Sequence, residues 1–155
     1  MAKINAFDDE VVGRIDASRA LGSCSTLMYI YEIEPGGSSS PYHYEYEEEW
    51  LLVLAGTLVL RTPDGEQTLA RGDLICFPAG PDGAHKLVNR GASTARTMLF
   101  SANRTPAVTV YPDSDKIGVW SDAGDADGQI FKRATAVPYS DGEDGWERDT
   151  GPWPS

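Results

Sequence analysis

Apolar residues recur at every second position through most of the chain. In TLMYIYEIEPGG, residues 26–37, Leu27, Tyr29, Tyr31 and Ile33 fall on one face of an extended strand that ends in a Pro-Gly-Gly turn. EEWLLVLAG, with a continuous apolar run, and TLVLRTPDGEQTLARGD follow, the second with PDG as a turn between two strands. DLICFPAGPDG, AHKLVN and TARTMLFSAN add three short strands separated by Gly, Pro and Asn. No stretch of helical length carries a 3.6-residue period, and no internal repeat is evident. Strands at this spacing predict an all-β sandwich or barrel.

One stretch breaks the alternation. PYHYEYEEEW, residues 41–50, puts a histidine and four glutamates directly before an apolar strand. A solvated charge cluster does not usually lead straight into a core strand, so these side chains need another explanation. Glu47 and Glu48 read as turn residues in water, and Trp50 as a packing residue.

Composition narrows the possibilities. The 155 residues, 41% of them hydrophobic, suit one domain with a real core. A formal net charge of −11 with 13 scattered basic residues argues against nucleic acid as a partner. No apolar run reaches the length of a membrane span, and the opening residues lack the basic-then-apolar order of a signal peptide, so the expectation is a cytoplasmic protein with no membrane association. Cys24 and Cys76 read as free thiols. From Asp113 onward the chain turns acidic, carrying ten acidic and four basic residues, yet it holds Trp120, Trp146 and Trp153. Aromatic side chains of that size bury large areas, so residues 116–139 are expected to pack on the barrel or on a second copy, with the last residues looser.

The two histidines, His43 and His85, each sit at a strand edge beside Gly and Pro turns. In an extended segment His43 and Glu45 project to the same side, and Glu49 can return on the next strand to face the same cavity. One imidazole, a second from His85 and one or two carboxylates make a ligand set for a divalent first-row metal.

The spacing of these residues resembles that of the cupins. Their first motif is Gly, five residues, His-x-His, three or four residues, Glu, six residues, Gly; Gly37, His43-Tyr44-Glu45, Glu49 and Gly56 follow it with one residue type changed. Their second is Gly, five residues, Pro-x-Gly, two residues, His, three residues, Asn; Gly72, Pro78-Ala79-Gly80, His85 and Asn89 follow it with two extra residues before the histidine. The resemblance covers about residues 25–103. It implies a double-stranded β-helix, the cupin jelly-roll barrel, over residues 25–112, between an N-terminal segment (1–24) and an acidic, Trp-containing C-terminal extension (113–155) packed partly on the barrel. It also implies a mononuclear metal held by His43, Glu49 and His85. Glu45 replaces the second motif histidine, either as a fourth ligand giving two nitrogens and two oxygens or as the mark of a site that has lost its metal. With two anionic oxygens the preferred ions are Mn²⁺, Fe²⁺ or Zn²⁺.

The resemblance leaves function open between classes. One expectation is a metal-dependent enzyme of the oxygenase, isomerase, lyase or decarboxylase type on a small polar organic molecule. The other is a non-catalytic module that binds or senses a small molecule. An additional acid or base in the barrel would separate them, and Tyr29, Tyr31, Tyr42, Tyr44 and Tyr46 are candidates. A homodimer is expected, since cupins commonly associate through edge strands.

Overall fold

The computed structural model describes residues 2–7, 10–121 and 128–143. A short strand β1 (Arg14–Asp16) leads into a single-turn helix α1 (Ala17–Leu21) whose N-terminus is capped by Asp16. The remaining strands are β2 (Thr26–Ile33), β3 (Tyr44–Glu45), β4 (Glu49–Ala55), β5 (Thr57–Thr62), β6 (Gly65–Ala70), β7 (Leu74–Phe77), β8 (Lys86–Val88), β9 (Ala95–Ala102), β10 (Ala107–Tyr111), β11 (Lys116–Trp120) and β12 (Gln129–Lys132). They form a five-stranded sheet β1-β2-β9-β4-β7, a three-stranded sheet β6-β5-β8 and a four-stranded sheet β12-β11-β10-β3.

Residues 36–45 stitch the two smaller sheets together. Gly36 N–H donates to the Asn89 carbonyl (2.8 Å), Asn89 N–H to Gly37 (2.9 Å) and Ser39 N–H to Leu87 (3.3 Å). His43 and His85 then exchange both backbone bonds, at 3.1 and 2.8 Å. This segment therefore runs antiparallel along the edge of β8 that β5 leaves free, and continues into β3 at the edge of the four-stranded sheet. The result is one continuous layer facing the five-stranded sheet, the all-β double-stranded helix that the sequence predicts.

Between the layers lies the core, built from Ile33, Leu51, Val53, Leu58, Leu60 and Leu87 with their neighbours, all buried. Each such side chain contributes about 1.5–3 kcal/mol when removed from water. A second cluster occupies the outer face of the large sheet, where Val11 and Ala17 pack on Ile30 and Leu54. The Arg96 guanidinium secures this cover, donating to the Ala6 and Phe7 carbonyls (3.1 and 2.7 Å) while pairing with Glu32. Strand β2 is thus covered on both faces, which explains why Met28 and Ile30 interrupt its alternation with further apolar residues.

The C-terminal region extends the four-stranded sheet with β11 and β12. Gly118 is buried, whereas Ile130, Phe131, Val137 and Tyr139 are exposed. Trp146 and Trp153 lie outside the described residues.

Asn89, the last residue of the second motif, is a structural bolt. Its side chain is fully buried, Nδ2 donates to the carbonyls of Ile33 (2.7 Å) and Ser93 (2.9 Å), and Oδ1 accepts from Gly91 N–H (2.8 Å). Asn89→Ala strands these groups, at about 1–3 kcal/mol for each that water cannot reach. The expected loss in unfolding free energy is about 3 kcal/mol by urea titration, and an unchanged midpoint would refute the assignment.

Candidate metal centre

His43 and His85 are brought together by backbone before their side chains interact. As the opposed pair of an antiparallel bridge, they project to the same side of the layer, with ring centroids 4.7 Å apart. Phe77 stacks on the His85 ring at 3.7 Å and an interplanar angle of 7°, fixing its plane. The tight turn before His85 requires glycine at position 83, because a Cβ there would stand 1.8 Å from the Pro78 carbonyl oxygen. That turn aims the Gly83 carbonyl at His85 Nδ1, 2.9 Å away. His43 Nδ1 lies 3.0 Å from the Pro41 carbonyl and 3.3 Å from Ser40 Oγ. A carbonyl only accepts, so these contacts assign the proton of each neutral ring to Nδ1 and leave the Nε2 lone pair for another partner.

Glu49 begins β4 on the facing sheet and reaches across. His43, Glu49 and His85 offer ligand atoms that all lie within 4.8 Å of one another, a group that can hold a metal ion. Glu49 Oε2 is buried without a hydrogen-bond partner, although His85 Nε2 is 3.3 Å away. With the His85 proton on Nδ1, two acceptors face each other, an unfavourable arrangement that a cation between them would reverse. Two ligands each about 2.1 Å from a tetrahedral ion stand roughly 3.4 Å apart, which agrees with this separation. The donor set fits a divalent metal.

Glu45 takes a different position. It lines the same cavity, but its Oε1 accepts from the Thr109 hydroxyl at 3.0 Å, and it stands outside the three-residue group. Burial, followed by the nearby Glu49 carboxylate, raises its pKa. Glu47 faces Arg104 at 3.7 Å, and Glu48 accepts from the indole N–H of Trp50, which stacks on Phe100.

A cavity of about 320 Å³ lies between the two layers, with His43 and Glu49 in its wall. Of the five tyrosines considered from sequence, Tyr29 and Tyr31 line it and Tyr42, Tyr44 and Tyr46 do not. Tyr111, whose pKa burial raises, lines it too, as do Trp120 and two arginines, Arg14 and Arg104. Sequence reasoning missed Tyr111 and Thr109; the alternation in AVTVY, residues 107–111, was the available signal.

The cupin domain family matches residues 29–101. The chain carries a cupin domain. It is 28% identical to a sugar phosphate isomerase of the cupin superfamily from Silicibacter pomeroyi, covering 88% of this chain and 84% of that one with a TM-score of 0.72. The fold also matches the polyketide cyclase RemF from Streptomyces resistomycificus, with a TM-score of 0.56 and 22% identity over 69% of this chain and 83% of that one. Tetracenomycin polyketide synthase protein TcmJ from Streptomyces glaucescens is 26% identical over 80 residues, 52% of each chain. The chain therefore spans about half the length of that curated relative. No helix among the described residues is long and apolar enough to cross a membrane.

Burial, reinforced by the neighbouring His85, holds the His43 pKa below its ordinary 6.5, against the weaker opposing pull of Glu49. The unfolded chain therefore binds more protons than the folded chain once the pH drops below about 6.5. The stability linked to His43 is present above that pH and is lost as the pH falls toward the depressed folded value. In chelator, thermal denaturation between pH 7.5 and 5 should yield a smaller drop in melting temperature for His43→Gln than for wild type. Parallel profiles would contradict this origin.

Proposed function

We propose that this cupin is a mononuclear metal-dependent enzyme acting on a small polar organic molecule, with His43, Glu49 and His85 as the protein ligands. The observation that carries the reading is the buried, unpartnered Glu49 Oε2 set against the His85 Nε2 lone pair. Three protein ligands leave coordination positions open toward the cavity. A bound Mn²⁺, Fe²⁺ or Zn²⁺ would supply Lewis acidity to an oxygen of the molecule in the cavity.

The chain's own residues supply the rest. The Nδ1 contacts to the Pro41 and Gly83 carbonyls orient both imidazoles and raise their basicity as ligands. Glu45, anchored by Thr109 and raised in pKa by burial, is placed to accept or return a proton at its carboxylate rather than to ligate. Tyr29, Tyr31 and Tyr111 line the cavity and can orient polar groups. The likeness to sugar phosphate isomerase and polyketide cyclase structures supports a small organic substrate.

We also propose a homodimer, with the edge of β12 that no other strand among the described residues pairs and the exposed Ile130 and Phe131 as the contact. Light scattering at micromolar concentration should give twice the 16.8 kDa chain mass; a monomer mass would remove this part.

Metal analysis after purification and reloading should give one divalent ion per chain. At a hundredfold excess over Kd, that ion stabilises the fold by about 2.7 kcal/mol, a gain that EDTA reverses. His85→Ala should abolish stoichiometric binding. Glu45→Gln should hold metal affinity within about threefold while reducing turnover, and should not lower the melting temperature of the metal-free protein at neutral pH, because it removes a buried charge. An affinity loss of one or more orders of magnitude in Glu45→Gln would make Glu45 a ligand. Stoichiometric metal with no turnover on any substrate would leave a binding module.

A further inference from the structure

The inward face of the four-stranded sheet forms a ladder of rows leading away from the metal group. Thr109 pairs with both Glu45 and Gly118, and Ala107 pairs with Trp120. One row nearer the metal end stand His43 and Tyr111, with ring centroids 6.1 Å apart.

Trp120 is seated in this ladder by two glycines. A Cβ on Gly118 would lie 2.3 Å from the indole Cη2, and one on Gly128 would lie 2.5 Å from Nε1. The indole thus folds back along β11 over Gly118, and only glycine leaves it room. Trp120 lines the cavity, so the ring is a platform on the cavity wall. Because it covers Gly118, the platform sits at the Glu45–Thr109 level, two residues along the strand from the His43 row. At about 3.4 Å per residue that is roughly 7 Å, about the span of one aromatic ring system attached to an oxygen donor.

The opposite wall presents Leu27, Leu99 and the rings of Tyr29 and Tyr31. Tyr29 pairs with Leu99, and Leu27 with Ser101, both rows lying on the cavity side of the large sheet. Of the two carboxylates that line the cavity, Glu49 belongs to the metal group and Glu45 shares the row over which the indole lies. Arg14, which lies over the Tyr29 ring, and Arg104, which faces Glu47, also line the cavity.

We infer that the cavity binds a planar aromatic molecule carrying acidic oxygen substituents, its ring stacked on Trp120. That the oxygens point to His43, Glu49 and His85 rests on the metal reading above; the stacking rests on Trp120 and its two glycines alone.

The test uses Mn²⁺-loaded protein and calorimetry with three probes: 3-hydroxy-2-naphthoate, lactate as an aliphatic molecule with the same oxygen donors, and fructose 6-phosphate. The naphthoate should bind at least tenfold more tightly than lactate. Trp120→Ala should weaken naphthoate binding about tenfold and leave the lactate and Mn²⁺ affinities unchanged, the latter also reporting that the variant is folded. Trp120→Phe should lose less, and Gly118→Ala, which displaces the indole, should resemble Trp120→Ala. Naphthoate affinity indifferent to Trp120, or fructose 6-phosphate bound more tightly than naphthoate, would overturn the inference. A protein that takes up no Mn²⁺ but binds naphthoate in a Trp120-dependent way would remove the metal reading and support the stacking.

Discussion

The pair of backbone hydrogen bonds between His43 and His85 is the constraint from which the rest of the architecture follows. It is an antiparallel bridge between a segment arriving from the large sheet and the start of β8, and it closes the seam between the two smaller sheets. Opposed residues in such a bridge project side by side, so joining the sheets also sets two imidazoles 4.7 Å apart. Closing the barrel and forming the donor pair are one structural event. The turn around Gly83 and the carbonyls of Pro41 and Gly83 then determine which ring nitrogen faces inward.

Glu49 adds the contribution of the opposite layer. Its carboxylate approaches the His85 Nε2 lone pair, which cannot donate once the proton is held at Nδ1, leaving one buried oxygen unsatisfied. Such a group costs about 1–3 kcal/mol or more when charged, a cost that native folds carry where a ligand relieves it. Asn89 provides the contrast: fully buried, it satisfies three backbone groups and holds the barrel rather than a ligand. The two motifs therefore contain residues of two kinds, which only their partners distinguish.

Much of the fold was legible because strand periodicity is local. Leu27, Tyr29 and Tyr31 alternate in sequence and share one cavity wall in the structure. Motif spacing likewise picked out His43, Glu49 and His85, since spacing encodes where each strand begins. Other features depend on register between distant strands. Period two says that Glu45 shares a side with His43, but the Thr109 hydroxyl that engages its carboxylate comes from β10, 64 residues away. Trp120 was read as buried bulk, and its place on the cavity wall follows from the β10–β11 pairing and from Gly118 and Gly128, whose meaning is visible only in three dimensions. The cover that Ile4, Ala6, Val11 and Ala17 lay over Ile30 was hidden for the same reason.

The central claim is that His43, Glu49 and His85 jointly hold one ion, and it is tested most directly by anomalous diffraction at the zinc edge from crystals grown with Zn²⁺. The account predicts one strong peak within about 2.0–2.2 Å of both Nε2 atoms and of Glu49 Oε2. Glu45 should remain on Thr109. A peak coordinated through the Nδ1 atoms or through Glu45 in place of Glu49, or no peak in the barrel, would contradict it.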